Sequence, residues 1–376
     1  MTTVCKENKC NGCMACIDKC PKNCISIHDN IYAYNAVKNM DVCINCGQCE
    51  KVCPNNAKPK LFKSIDWKQG WAERSIRKSA SSGGAASAIM KAFIESGGYV
   101  ASCLFRQGQF VFDIANDPKI VEKFAGSKYV KSNPGGIYKK IQERLKTDKV
   151  LFVGLPCQVA GLKNFISNQA TKEHLYTIDL ICHGTPSPKI LEQFLREYGY
   201  KLSELKNINF RNKSNFGITS KNISRLEKGR DPYLISFLNS VDYTENCYSC
   251  QFATRDRVSD MTLGDSWGTE LKNEEGKGIS LLLVQSDRGK ELLAMSSLEL
   301  KEVEYEKAVR SNHQLNHASV LKPEREVFLK MITTGSTVKQ ATNKTLPKEV
   351  LKQKVKYMLT RIGLLKSGGY EMTIIK

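Results

Sequence analysis

No run among the 376 residues approaches the roughly 20 consecutive apolar residues that a helix needs to span a bilayer. The first residues also lack the apolar centre of a secretory signal, because Cys5, Cys10 and Cys13 interrupt them. Together these absences predict a cytoplasmic chain. Zinc-finger, helix-turn-helix and RNA-binding aromatic signatures are missing as well. The basic residues are scattered rather than gathered in a stripe, which argues against nucleic acid as a partner. The chain is also too long for its 15 cysteines to read as a secreted disulfide scaffold. In an intracellular protein of this size, clustered cysteines point to metal or redox chemistry.

What is present begins with two copies of one spacing. Cys10, Cys13, Cys16 and Cys20 precede Pro21, and Cys43, Cys46, Cys49 and Cys53 precede Pro54. Each run reads C-x2-C-x2-C-x3-C-P, in which three thiolates wrap one cubane while the fourth reaches the other cluster. The spacing therefore predicts one 4Fe-4S cluster on Cys10, Cys13, Cys16 and Cys53, and a second on Cys43, Cys46, Cys49 and Cys20. A zinc site would use paired C-x2-C knuckles and has no use for a doubled run ending in proline. Between the runs, alternation over Cys24–Ile27 and Ile31–Tyr34 around His28-Asp29-Asn30 predicts a short hairpin. Cys5 and Cys24 are left over and read as packing or surface thiols.

Residues 1–60 thus form a ferredoxin-type domain, and a Lys-, Asn- and Ser-rich stretch makes 61–80 a linker. Ser81-Ser82-Gly83-Gly84 then opens a helix-forming run that Gly97-Gly98 ends. A serine and glycine helix start exposes backbone N–H groups to an anion or a flavin edge, yet many helices start this way with no ligand. Two buried-strand runs follow, Lys149–Gly154 and Leu175–Ile181, with a helix-like stretch between them. They predict a parallel pair whose carboxyl ends carry Cys157 and Cys182. In open α/β sheets that edge is where ligands bind. With Cys247 and Cys250, a later C-x2-C pair, these make a candidate four-thiolate site. Soft ligands of this kind take a third 4Fe-4S cluster or zinc, or pack as free thiols. A chain that already carries two clusters favours the third. Cys103 has no partner by spacing and reads as packing.

The order of these motifs carries a resemblance. Ser81-Ser82-Gly83-Gly84, Gly126-Ser127-Lys128-Tyr129-Val130, Gly154-Leu155-Pro156-Cys157-Gln158, Ile181-Cys182-His183-Gly184-Thr185-Pro186 and Gly264-Asp265-Ser266-Trp267-Gly268 follow one another over about residues 5–300. In this order they resemble the coenzyme-F420 (deazaflavin) hydrogenase and dehydrogenase beta-subunit family, here with a bacterial two-cluster ferredoxin domain fused in front. The resemblance implies FAD beside the clusters, with Ser82, Gly83, Gly84 and Lys128 contacting it. It also implies that the four dispersed cysteines ligate the adjacent cluster. Asp265 is expected to shape the flavin or cluster pocket. His183, next to Cys182, is the candidate catalytic residue, either as a proton donor or, by preference, as a hydrogen-bond partner of a cluster sulfur.

The expected fold class is α+β: a ferredoxin-like module, then an α/β flavin-binding domain with a partly parallel sheet over 81–335, then a basic helical tail over 336–376. The expected function is passage of electrons between 4Fe-4S clusters and FAD to reduce a small-molecule substrate of the kind found in polysaccharide pathways. The alternatives are a deazaflavin-linked dehydrogenase and a non-catalytic electron-transfer subunit. Fifty-seven Lys and Arg against 38 Asp and Glu leave a net charge of +19, which suits reduced ferredoxin or another acidic electron-transfer partner. Residues 339–376 hold nine Lys or Arg against Glu349 and Glu371. There Leu351, Val355, Met358, Ile362 and Leu365 fall on one helical stripe. Such a basic amphipathic helix can touch an anionic membrane peripherally, but docking on the protein's own core is the preferred expectation.

Overall fold

The structure, a computed structural model, describes residues 2–221, 223, 226–227 and 230–364. In its first part each cysteine triplet leads into a short helix, Ala15–Lys19 or Gln48–Val52. Each helix is entered through a left-handed residue, Met14 at φ 58° or Gly47 at φ 69°. The helices stop at Cys20 and Cys53, whose backbones are extended, at φ −72°, ψ 116° and φ −70°, ψ 120°. A following proline disfavours helical backbone in the residue before it, so Pro21 and Pro54 turn the last cysteine of each run out of its own helix. The hairpin between the runs pairs β1 (Ile25–Asp29) with β2 (Tyr34–Lys38). Its second strand starts at Tyr34 rather than Ile31. Asp29 and Asn30 accept hydrogen bonds from Ile31 N (2.8 Å) and Ala33 N (2.7 Å), and these spend residues 30–33 on the turn.

The later strands are, in chain order, β3 (Asp66–Ala72), β4 (Tyr99–Arg106), β5 (Gln109–Ala115), β6 (Val150–Gly154), β7 (Leu175–Leu180), β8 (Asn209–Asn212), β9 (Asn215–Thr219), β10 (Met261–Asp265), β11 (Ser280–Val284) and β12 (Leu298–Lys301). All but the β8–β9 hairpin join one eight-stranded sheet, in the order β12-β3-β11-β10-β7-β6-β4-β5. Its interior, β4, β6, β7 and β10, is parallel, and the flanking pairs are antiparallel. The fold class is α+β with a large mixed sheet. β3 lies within the stretch expected to be a linker, yet it pairs with both β11 and β12. Neighbouring lysines and a polar centre hide it from a hydropathy reading. Gln69 is fully buried, and its amide is satisfied by Ser266 (2.8 Å), Thr269 (2.7 Å) and the carbonyl of Glu302 (2.8 Å).

Alternation along β6 divides the core between the two faces of the sheet. Leu151 and Val153 join the buried side of helix Ala85–Glu95, including Ile89, Met90 and Phe93. Val150 and Phe152 pack instead with Tyr138, Val159, Leu162 and Phe165 of helices Ile137–Arg144 and Pro156–Phe165. The ferredoxin module docks on that second layer, contributing Cys13, Ala15 and Val52 to the same cluster. Gly161 makes the approach possible, because a Cβ there would lie 3.1 Å from Cys13 Sγ and 3.3 Å from Ala15 Cβ. Polar contacts lock the joint. Tyr138 donates to the Cys13 carbonyl (2.7 Å), and Gln251 donates to the Pro54 carbonyl (2.8 Å).

Among the described residues no helix is long and apolar enough to cross a membrane. The core extends through Val338 and Ala341 of helix Val338–Thr345. The last helix, Pro347–Arg361, has no buried residue, and Leu351, Met358 and Ile362 are all more than half exposed. Its apolar stripe is therefore not docked on the core as expected, while Val350 on another side packs inward. Leu365, the last residue of the predicted stripe, lies outside the described residues.

One side chain crosses the joint to cap a helix. Asp18 of the ferredoxin module accepts from Gly136 N (2.6 Å) and Tyr138 N (3.0 Å) at the start of helix Ile137–Arg144. Asp18→Ala removes both acceptors and is expected to cost about 1–2 kcal/mol. The cost should appear as a lower denaturant midpoint and faster proteolytic separation of module from body. An unchanged midpoint would mean that the cap does not hold the joint.

Candidate functional site

The crossed assignment of the ferredoxin cysteines can be followed in space. Cys20, Cys43, Cys46 and Cys49 line one small cavity near the surface. On the inner side, Cys10, Cys13, Cys16 and Cys53 influence one another. Contact with Cys5, then burial, then Cys13 raise Cys53 well above the ordinary thiol value, while burial and then Cys13 raise Cys16. Thiols crowded in this way resist ionisation unless a cationic body shares their charge, and a cubane supplies one. The two leftover cysteines are not remote. Cys24 Sγ lies 3.4 Å from Cys20 Sγ and lines the outer cavity, and Cys5 touches both Cys10 and Cys53. In sequence both read as packing or surface thiols, and only the folded chain sets them beside the cysteine runs.

The dispersed quartet also comes together. Cys157 is in the first turn of helix Pro156–Phe165, just after β6, Cys182 follows β7, Cys247 lies within the turn Glu245–Ser249 and Cys250 ends it. Burial first, then Cys250 and Cys182, raise Cys157; burial, then Cys247 and Cys250, push Cys182 up to about 12. Two ties join the segments. Thr244 N donates to Thr185 O (3.1 Å), and Arg257 bridges Asp179 of β7 (2.7 Å) to the carbonyl of Phe252 (2.8 Å). Among the described residues no three His, Cys, Asp or Glu side chains are drawn together tightly enough to share a single ion. Four soft thiols are a donor set that suits a cubane.

Beside the quartet, at the carboxyl edge of the parallel strands, lies a cavity of about 560 Å³. Cys182 and His183 form part of its wall, with Ser82, Gly84, Lys128, Arg211, Arg230, Asp265 and Trp267. Cys103, expected to be plain packing, lines it too.

The predicted cofactor contacts divide. Gly84 sits at φ +88° at the helix start, which only glycine adopts readily, and Ser82 faces the cavity while donating to Ile279 O (2.9 Å). Gly83 is not part of the wall. A Cβ on it would meet Gly70 O at 2.5 Å and Ser280 N at 2.6 Å, so its missing side chain serves the seam of β3 and β11 rather than a ligand. Lys128 donates to the carbonyls of Phe124 (2.6 Å) and Ala125 (2.8 Å), and burial lowers it to about 8. Asp265 is neutralised by a two-pronged pair with Arg211 (2.8 and 2.6 Å). His183 is lowered to about 4 by burial and then by His313, so its ring is neutral near pH 7. Its Nδ1 meets the Gln314 amide rather than a sulfur.

Two residues absent from the sequence reading organise the rim. Arg211 ties Asp265 to the carbonyl of Ser81 (2.7 Å). Lys213, nearly fully buried, donates to Ala80 O and Ser82 O, each at 2.7 Å, and to Arg77 O. Both lie on β8 or the turn after it and reach partners some 130 residues earlier. No local pattern marks such contacts.

Residues 9–57 match the model of the 4Fe-4S dicluster domain. Residues 68–135 match the N-terminal model of the coenzyme F420 hydrogenase/dehydrogenase beta subunit, and 147–308 match its C-terminal model. A curated relative, the F420-dependent formate dehydrogenase subunit beta of Methanocaldococcus jannaschii, is 26% identical over 235 residues. That match covers 59% of this chain and 56% of the relative, so the chain spans little more than half of the relative's length. A chain of the xenon-derivatised F420-reducing NiFe hydrogenase complex from Methanosarcina barkeri shares the fold. Its TM-score is 0.50 at 18% identity, over 73% of this chain and 94% of that one. With both halves of one family's model in order behind the dicluster domain, the chain belongs to the coenzyme F420 hydrogenase/dehydrogenase beta-subunit family, a family of iron-sulfur oxidoreductase subunits.

Proposed function

We propose that the chain carries single electrons from the ferredoxin module, through a 4Fe-4S centre on Cys157, Cys182, Cys247 and Cys250, to a flavin-type ring in the cavity. The observation that carries this reading is the position of the quartet. Cys157 heads the helix on which the Cys13 loop packs, while Cys182 forms part of the cavity wall. The quartet thus touches both ends of the route. A ring bound there would supply the exchange of paired electrons as hydride, which one-electron centres cannot make alone.

The family supports the deazaflavin coenzyme F420 as the hydride partner, since both relatives bear it in their names. Resident FAD is a further part of the proposal, favoured by the single-electron supply at the cavity wall. Arg230 and Lys128 offer cationic groups for the anionic part of such a cofactor, and the Ser82–Gly84 turn offers backbone at a helix start. His183 contributes a neutral ring beside Cys182. At the other end, Cys46 is exposed next to the exposed side chains of Val42 and Ile44. That loop is where we place contact with a partner electron-transfer protein, reduced ferredoxin being one with suitable charge.

Two outcomes are expected. Cys157→Ser should leave the ferredoxin clusters reducible but sharply slow reduction of a ring bound in the cavity when electrons arrive from reduced ferredoxin. A hydride donor acting directly on the ring should still reduce it. Equal stopped-flow rates for variant and wild type, both with ring bound, would take the quartet out of the path. Separately, Arg230→Gln should weaken binding of FAD or F420 by about tenfold or more, as loss of a charged hydrogen bond does. Fluorescence titration reads this, and unchanged affinity would remove Arg230 from the cofactor site.

A further inference from the structure

Lys131 is only 5% exposed, yet no acidic side chain pairs with it among the described residues. Its ammonium has one protein acceptor, the carbonyl of Asn11 at 3.3 Å, and stands 5.0 Å over the ring of Tyr34. An ammonium withdrawn from water in this way is costly unless a counter-charge lies close by. The folding places it with care. Gly12 makes room, since a Cβ there would lie 3.0 Å from Lys131 Cδ.

Asn11 and Gly12 belong to the loop between Cys10 and Cys13. On the opposite side, Lys131 N donates to Pro186 O (3.0 Å), in the segment that follows Cys182. The next residue, Ser132, accepts from Gln158 beside Cys157 (2.9 Å). The same gap is spanned by Asn246, whose amide nitrogen is 3.4 Å from Asn11 Oδ1 and 3.6 Å from Cys247 Sγ.

We propose that Lys131 is the fixed positive charge between two iron-sulfur centres, the inner ferredoxin cluster on Cys10, Cys13, Cys16 and Cys53 and the centre on Cys157, Cys182, Cys247 and Cys250. This rests on the electron route described above. A cubane held by four thiolates is net anionic, so the centres on either side supply the counter-charge that the protein leaves out. Each added electron makes a centre more negative, and a nearby fixed cation favours that reduced state. Lys131 therefore raises the potentials of both neighbours and steadies the electron as it passes between them. It is a positioning charge, and no proton leaves it.

The test is an EPR-monitored redox titration of the anaerobically reconstituted full chain, comparing wild type with Lys131→Met at equal iron content. The two flanking centres should shift to lower potential, while the outer cluster on Cys20, Cys43, Cys46 and Cys49 stays in place as an internal reference. Lys131→Arg should restore the potentials. If Lys131→Met does not hold its clusters, Lys131→Gln, which keeps a donor toward Asn11 O without the charge, should give the same shift. Unchanged potentials in the neutral variant, or an equal shift of all centres, would overturn the proposal. A shift confined to the inner ferredoxin cluster, with no EPR signal from a further centre even in the wild type, would instead show that the electron route itself had been misread.

Discussion

The distance between the Cys13 loop and helix Pro156–Phe165 governs everything downstream. One turn after Cys157 this helix presents Gly161, and the space of its missing side chain is taken by Cys13 and Ala15 of the ferredoxin module. Electron transfer between centres needs closeness, and a side chain at this position would push the module outward. The surrounding contacts serve the same end. Asp18 caps the adjacent helix, Tyr138 donates to the Cys13 carbonyl, and Asn164 donates to Ala57 O (2.8 Å). Docking here is a shared hydrophobic core edged with hydrogen bonds, so the module and the body pack as one unit.

The cavity depends on a second set of constraints. Parallel strands β6, β7 and β10 end on one edge, which brings Leu155, Cys182 and Asp265 around a common space. That edge would fray without the rim held by Arg211 and Lys213. Lys213 donates to main-chain carbonyls around the Ser81–Ser82 turn, while Arg211 divides its hydrogen bonds between the Ser81 carbonyl and the Asp265 carboxylate. Burial lowers Lys213 to about 8, with Arg77 and Arg211 adding to the effect.

Much of this was legible in the sequence because it is local. The doubled cysteine run carries the spacing of the dicluster domain, and the prolines after it end each short helix. The buried runs ending at Cys157 and Cys182 predicted a parallel pair, and β6 and β7 form one. Other features were hidden for physical reasons. β3 has a satisfied buried glutamine at its centre and lysines around it, so its burial depends on partners from β11 and the carbonyl of Glu302. Gly83 looked like a ligand contact, but glycine is needed there because β3 and β11 close over it. Arg211, Lys213 and Lys131 act across sequence separations above 100 residues, and their neighbours cannot be read from their own segment. The stripe on helix Pro347–Arg361 was visible as a pattern, whereas which side met the core was decided by packing.

The central claim is that the quartet is a cluster linking the ferredoxin module to the cavity. It is tested most directly by iron and sulfide analysis of the anaerobically reconstituted chain. About twelve of each per chain are expected, four for each of three cubanes. About eight iron with one zinc would leave the ferredoxin clusters intact and contradict the link.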